Sequence, residues 1–422
     1  MIVTVTLNPA LDLTYTVDAL VPHGTHRVAT VAERPGGKGL NVARVLHTLG
    51  EPVLATGLLG GATGARVAEL LRAEGVPAGF VRIGGETRRT VAVVDGSDAT
   101  GFWEPGPTVT AAEWALFVDE FRELLGPATV VALSGSLPPG VPLDAYASLI
   151  ALAEQAGVPT LLDTSGPALR HGLLAGPTLA KPNADELAAI APSRPSTAPG
   201  GAATAPGGAS TAPGGASTAP GGASTAPGGA STAPGGAAIA PGGAAASAAQ
   251  AGPGGAGIVA SSAGAILEAV RALAAGPVVV SRGAAGLIAV ANDEVWECAP
   301  PVPLDGNPTG AGDACVAALS RGLRDHTPWP ALLADAVALS AAAVAAPVAG
   351  AFDPEVYRQT LATMSAAPAS AGRVTPPSDG RVTPPSDGRG TPPPSGQTTP
   401  SHGEQAAVSA SASGGFRAGT HR

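Results

Sequence analysis

The chain is almost without lysine. Of its 23 lysine and arginine residues only Lys38 and Lys181 are lysines, and each sits in a short motif suited to phosphate, Pro35-Gly36-Gly37-Lys38-Gly39 and Lys181-Pro182-Asn183. Lysine presents a slim point charge where arginine presents a planar fork, so two retained lysines predict two anion sites. Cysteine is nearly absent too. Cys298 and Cys315 are too few for a disulfide scaffold and lack the paired spacing of a zinc site, so a reducing, cytoplasmic setting is expected. No basic cluster interrupts a net charge of −9, which excludes nucleic acid as the main partner, since phosphate backbones attract concentrated positive charge.

Long apolar runs are missing as well. The start, Met1-Ile2-Val3-Thr4-Val5-Thr6-Leu7, alternates like a strand without the basic opening of an export signal. The alanine-rich run 331–351 approaches membrane-spanning length, but Asp335 and Pro347 interrupt it and its side chains are small, so a buried helix and no membrane partner are expected. The Gly-x-x-x-x-Gly-Lys-Ser/Thr loop that cradles ATP in many enzymes does not occur. Residues 57–64 resemble a dinucleotide-binding turn only loosely, because the strand that should close on an acidic residue carries Arg82 instead.

Glycine and proline, by contrast, abound, at 59 and 43 residues. Residues 193–257 cycle through Ser-Thr-Ala-Pro-Gly-Gly-Ala, a period of seven that proline and paired glycine bar from helix, and they read as a flexible, disordered insertion. Residues 365–422 repeat Arg-Val-Thr-Pro-Pro-Ser-Asp-Gly and read as a disordered tail. About 300 residues remain, enough for one large α/β domain that the insertion interrupts.

Within 1–192 and 258–363, strands followed by glycine turns and helices recur. Residues 2–7 and 53–58 read as strands, 40–49 and 65–74 as helices; 129–133, 160–163 and 278–280 each lead into a Ser- or Gly-containing turn. Such alternation predicts a mostly parallel sheet covered by helices on both faces. Two segments, 11–34 and 80–103, show only short β-type alternation and predict either a small antiparallel sheet serving as a lid or a pair of surface hairpins.

The most specific motif is Asn307-Pro308-Thr309-Gly310-Ala311-Gly312-Asp313, followed by helical periodicity over 314–323. Glycines before a helix free backbone amides to face a ligand, and the helix dipole favours anionic oxygen, so Gly310, Ala311 and Gly312 form a natural hole for a phosphoryl group in transfer. Asp313 falls in the first turn, which keeps a carboxylate ionised and able to take the proton of an attacking hydroxyl.

Five motifs in order now carry a resemblance: Thr6-Leu7-Asn8-Pro9-Ala10-Leu11-Asp12, Gly36-Gly37-Lys38-Gly39-Leu40-Asn41, Ser134-Gly135-Ser136-Leu137-Pro138-Pro139-Gly140, Lys181-Pro182-Asn183-Ala184-Asp185-Glu186-Leu187 and Gly310-Ala311-Gly312-Asp313. The chain resembles the PfkB (ribokinase-like) carbohydrate kinases, in particular the phosphosugar branch that includes 1-phosphofructokinase. The resemblance spans residues 1 to about 192 and about 258 to 363. It implies a three-layer α/β/α domain with a β-sheet lid. Asp12, Gly37, Lys38, Asn41 and Ser136 would line the sugar site, and Arg88 or its neighbour Arg89 would hold the substrate's existing phosphate. Asn183 and Glu186 would act through water on Mg²⁺, Lys181 would stand near the phosphates of ATP, Ser281 and Gly283 would belong to the nucleotide loop, and Asp313 would be the catalytic base.

The implied activity is ATP- and Mg²⁺-dependent phosphorylation of a ketohexose phosphate, foremost fructose 1-phosphate to fructose 1,6-bisphosphate, with tagatose 6-phosphate and fructose 6-phosphate as rival acceptors. A homodimer formed through the lid is also implied. Two departures bear on the acceptor: Pro308-Thr309 stands where 1-phosphofructokinases often carry Ser-Val, and Arg89-Thr90 where Ile-Asn is expected for fructose 1-phosphate. A reading from another class, a sugar-phosphate sensor without turnover, would keep the pocket and dispense with Asp313.

Overall fold

The computed structural model describes residues 1–95, 98–191, 262–273, 276–292, 294–302 and 306–366. The insertion at 193–257 and the tail beyond residue 366 lie outside the described residues. The last helix runs Pro354–Ala366, slightly past the boundary at 363 read from the sequence.

A nine-stranded sheet forms the middle layer. In chain order its strands are β1 (Ile2–Thr6), β4 (Val53–Gly60), β5 (Ala78–Ile83), β8 (Val130–Ser134), β9 (Thr160–Asp163), β10 (Leu179–Ala180), β11 (Val278–Ser281), β12 (Leu287–Ala291) and β13 (Glu294–Cys298). In space they run β13-β12-β11-β10-β9-β8-β1-β4-β5, all parallel neighbours except the two antiparallel pairs that β12 makes at one edge. Strand β1 shows why the sheet must be covered twice. Ile2 packs into the core on one face, Val3 and Val5 into the core on the other, and every residue of the strand is buried.

One face is covered by α1 (Lys38–Thr48), α2 (Gly61–Ala73), α8 (Ala311–Arg324), α9 (Trp329–Val344) and α10 (Pro354–Ala366). The other is covered by α3 (Ala111–Leu125), α4 (Ala145–Gln155), α5 (Gly166–Leu174), α6 (Ala184–Ile190) and α7 (Ala263–Ala272), around Phe117, Phe121 and Tyr146. The alanine-rich run becomes the buried helix α9, whose small side chains let it lie against α8. Among the described residues no helix is long and apolar enough to cross a membrane.

The lid is a second sheet of four strands, β3 (Thr30–Gly36), β2 (Ala10–Thr16), β6 (Arg88–Val94) and β7 (Ala99–Trp103), in that order. Two expectations about it need correction. The sheet is mixed: β2 pairs antiparallel with β3 but parallel with β6. Residues 80–83 belong to the main sheet, because the helix α2 returns the chain parallel to β4 and buries Val81 and Ile83 there. The lid's second segment therefore begins at Arg88, which pairs with Ala10 where the chain leaves β1 for the lid.

Candidate active site

Part of the site stands at the carboxyl ends of parallel strands, the edge where open α/β sheets bind ligands, and the rest on the lid and at helix starts. Strand β1 leads to Asn8, β8 to Ser136, β9 ends on Asp163, β10 leads to Lys181, and β11 ends on Ser281.

Asp313 is the third residue of α8. Gly310 caps that helix in the left-handed region (φ 92°), and a Cβ there would stand 2.9 Å from Ala349 Cα, so only glycine fits both the turn and the loop packed behind it. The Ala311 amide is committed to the turn, donating to the Pro308 carbonyl at 3.2 Å. Asp313 is buried, and Asn41 Nδ2 donates to its Oδ2 at 2.8 Å. Burial and the nearby Asp163 carboxylate raise the Asp313 carboxyl to about 6, against the pull of Lys38, Asn41 and Lys181. The first-turn position does not offset burial, yet a carboxyl at about 6 is still mostly ionised at neutral pH.

The two lysines do not mark two separate anion sites. Both converge on Asp163, with Lys181 Nζ at 3.2 Å and Lys38 Nζ at 3.5 Å from its Oδ1. The cause is strand register: Ala180 pairs with Leu162, which sets Lys181 beside the end of β9, while Gly37 (φ 114°) turns the chain into α1 so that Lys38 arrives from above. Burial pulls the Lys181 ammonium down, and the groups around it, Asp163 foremost, together more than reverse this, leaving it above the usual lysine range. The Asp163 carboxylate likewise raises Lys38.

Asn183 and Glu186 form a reciprocal cap on α6. The Glu186 amide donates to Asn183 Oδ1 at 2.7 Å and the Asn183 amide to Glu186 Oε2 at 2.8 Å. The other carboxylate oxygen of Glu186 lies 3.9 Å from Lys38 Nζ, so the cap also joins the charged cluster. Ser281 bridges to Asn183. Ser281 and Gly283 line a cavity of about 420 Å³ together with Ala311, Gly312, Cys315 and Val344. Burial raises the Cys315 thiol to about 11, so it stays protonated there. Among the described residues no group of three or more His, Cys, Asp or Glu side chains forms a metal cage.

On the lid side, Arg88 Nε donates to the Asn8 carbonyl at 3.2 Å and Nη1 to the Glu104 carbonyl at 3.1 Å. Asn8 Nδ2 in turn donates to Ser136 Oγ at 3.1 Å. Arg89 is engaged elsewhere, paired with Glu104 at 2.9 Å. Asp12 lies on β2 over Gly36 and accepts a hydrogen bond from the Thr90 hydroxyl; burial raises its carboxyl. Two residues of the site escaped the sequence reading: Asp163 and, as a positioning group, Asn8. Asp163 carried a usable signal, a carboxylate ending a strand before Thr164-Ser165-Gly166.

A sheet whose carboxyl edge gathers a buried carboxyl, two lysines and a glycine-capped helix, with a second small sheet beside it, has the architecture of a ribokinase-like sugar kinase. The sequence model described as pfkB family carbohydrate kinase matches residues 5–206 and 253–355, and the chain belongs to that family. It is a phosphotransferase acting on a sugar or sugar phosphate. Phosphofructokinase-2 from Escherichia coli, in complex with potassium, is similar at 26% identity and a TM-score of 0.66, over 86% of this chain and 99% of that one. The same enzyme in complex with fructose-6-phosphate gives 25% identity and 0.64 over the same shares. A possible 1-phosphofructokinase from Thermotoga maritima shares the fold at 23% identity and 0.62, over 86% of this chain and 97% of that one.

Proposed function

We propose that the protein transfers the terminal phosphoryl group of ATP to the 6-hydroxyl of fructose 1-phosphate, giving fructose 1,6-bisphosphate and ADP. Tagatose 6-phosphate and fructose 6-phosphate are the rival acceptors, the latter because a phosphofructokinase-2 bound to fructose-6-phosphate is among the similar structures. The observation that carries the reading is Asp313, buried beside Asn41 at the start of α8 with the glycine turn at its back.

In this reading Asp313 Oδ takes the proton of the sugar hydroxyl as the hydroxyl oxygen bonds to the γ-phosphorus and the bond to the bridging oxygen of ADP breaks. The amides of Gly310 and Gly312 receive the charge that develops on the transferring group, and Lys181 adds a fixed positive charge beside them; a Cβ on Gly312 would lie 3.7 Å from its Nζ. The apolar cavity beside Ser281 and Gly283 takes the nucleotide base. Asp12, Asn41 and Ser136 orient the sugar, Arg88 holds its phosphate, and lid closure excludes water.

The donor set suits Mg²⁺, which prefers a few carboxylates and the substrate's own phosphates to a full protein cage. Glu186, through water, would hold it, and while Asp163 Oδ1 faces the two lysines, its Oδ2 is buried without a hydrogen-bond donor. The ion would supply neutralisation of the phosphate oxygens. Exposed Val31 (58%), Phe102 (56%) and Trp103 (66%) on the lid support a homodimer through that sheet.

Initial rates on fructose 1-phosphate, fructose 6-phosphate, tagatose 6-phosphate and free fructose test the reading. Fructose 1-phosphate is expected to show the highest kcat/KM. Comparable rates on free fructose would contradict a phosphosugar acceptor.

A further inference from the structure

Arg44 lies one helical turn beyond Asn41 on α1 and is only 6% exposed. A guanidinium so enclosed must find acceptors for its fork. Its Nε and Nη2 donate to Glu74 Oε2 and Oε1 at 2.5 and 3.1 Å, and its Nη1 donates to the Ala349 carbonyl at 2.9 Å. The last bond leaves the local ion pair and reaches the loop after α9, 305 positions away.

That loop is what Gly310 rests on. Added Cβ atoms measure how close the surfaces are: one on Gly310 would stand 2.9 Å from Ala349 Cα and 3.3 Å from the Gly350 amide nitrogen. Gly350 (φ 74°) clears the space that Arg44 fills, since a Cβ there would collide with Arg44 Nη1 and lie 2.8 Å from Asn41 Oδ1. One buried side chain thus touches both the helix that presents Asn41 to Asp313 and the backbone behind the glycine turn. Its side-chain hydrogen bonds go to Glu74 and Ala349, and its charge also pulls down on the Asp12 carboxyl that burial raises.

We propose that Arg44 is a positioning residue for phosphoryl transfer: by locking α1 onto the 349–350 backbone it fixes the distance between the sugar-holding residues and the Gly310 turn. This rests on the roles of Asp313 and Gly310 given above. Geometry of this kind matters because a misplacement of about 1 Å can cost roughly a hundredfold in rate. Arg44 and Glu74 alone would be a stabilising ion pair; the bond to Ala349 also ties the guanidinium to the backbone behind Gly310, and kcat read beside Tm separates that positioning role from stability.

The test compares Arg44→Met, Arg44→Lys, Glu74→Gln, Gly350→Ala and Asp313→Asn, assayed for kcat and KM well below each variant's Tm. Arg44→Met is expected to lose about a hundredfold in kcat with KM for the sugar phosphate within about threefold, and Arg44→Lys to recover part of that loss. Gly350→Ala, which crowds the guanidinium from the loop side, should lose kcat in the same way. Glu74→Gln should lower Tm and leave kcat within about threefold. A folded Arg44→Met with wild-type kcat, or a Glu74→Gln with an equal loss of kcat, overturns the proposal. Should Arg44→Met fail to fold, Arg44→Lys and Gly350→Ala carry the same comparison, and unchanged kcat in both overturns it. An active Asp313→Asn would refute the underlying site assignment, whereas an inactive one beside an active Arg44→Met would refute the role of Arg44 alone.

Discussion

Asn41 and Asp313, 272 positions apart in sequence, meet in a buried hydrogen bond of 2.8 Å between the helix that follows the Gly36-Gly37 turn and the helix that follows Gly310. The bond does electrostatic service as well as joining the helices: it favours the ionised carboxylate that burial opposes. Asn41→Ala removes that support. The acidic limb of the kcat/KM profile, set near 6 by Asp313 in the free enzyme, is therefore expected to move upward, and a pH-rate profile with an unmoved limb would show that Asp313 is not the group it reports.

The same carboxyl links function to stability. Asp313 holds its proton more tightly when folded, at about 6, than at its ordinary value of 3.8, so its stabilising contribution is complete below 3.8 and lost as pH rises through about 6. Asp313→Asn keeps the shape without the charge. At pH 8 it is expected to be more stable than the wild type by about 2–3 kcal/mol, with the gain shrinking toward pH 4, as thermal melts at the two values would show. A gain independent of pH would contradict this.

Arg88 faces the backbone of Asn8 and Glu104 while Arg89 is tied to the Glu104 carboxylate. Arg88→Gln is therefore expected to raise KM for the phosphosugar at least tenfold with a smaller change in kcat, and Arg89→Gln to leave KM within about threefold. Steady-state kinetics on both variants decide the matter; the reverse pattern would move the phosphate clamp to Arg89.

Asp163 neutralises Lys181 deep in the sheet edge and shares Lys38. Asp163→Asn leaves a buried ammonium facing a neutral amide and is expected to cost roughly 3–5 kcal/mol of unfolding free energy. Denaturant titration measures it, and a loss below about 1 kcal/mol would mean that Lys181 finds another counter-charge.

Much of this arrangement was legible before any coordinates. A glycine turn running into helical periodicity announces α8 and places Asp313 in its first turn, and strand-turn-helix alternation gives the three layers. What stayed hidden depends on pairing between distant segments. The convergence of Lys38 and Lys181 on Asp163 follows from the register of β9 against β10, which no local pattern encodes. The parallel union of β2 with β6 is likewise long-range, so the lid read as antiparallel from its short alternations. Residues 80–83 looked like lid because their alternation is the same; only the crossover through α2 assigns them to the main sheet.

The central claim is that the carboxylate at residue 313 accepts the proton of the acceptor sugar. Turnover of Asp313→Asn with fructose 1-phosphate and MgATP, alongside calorimetric titration of the sugar phosphate into the same variant, tests it most directly. The account predicts a loss of about 10²–10⁴-fold in kcat with binding retained. Turnover near the wild-type rate in the folded variant would contradict it.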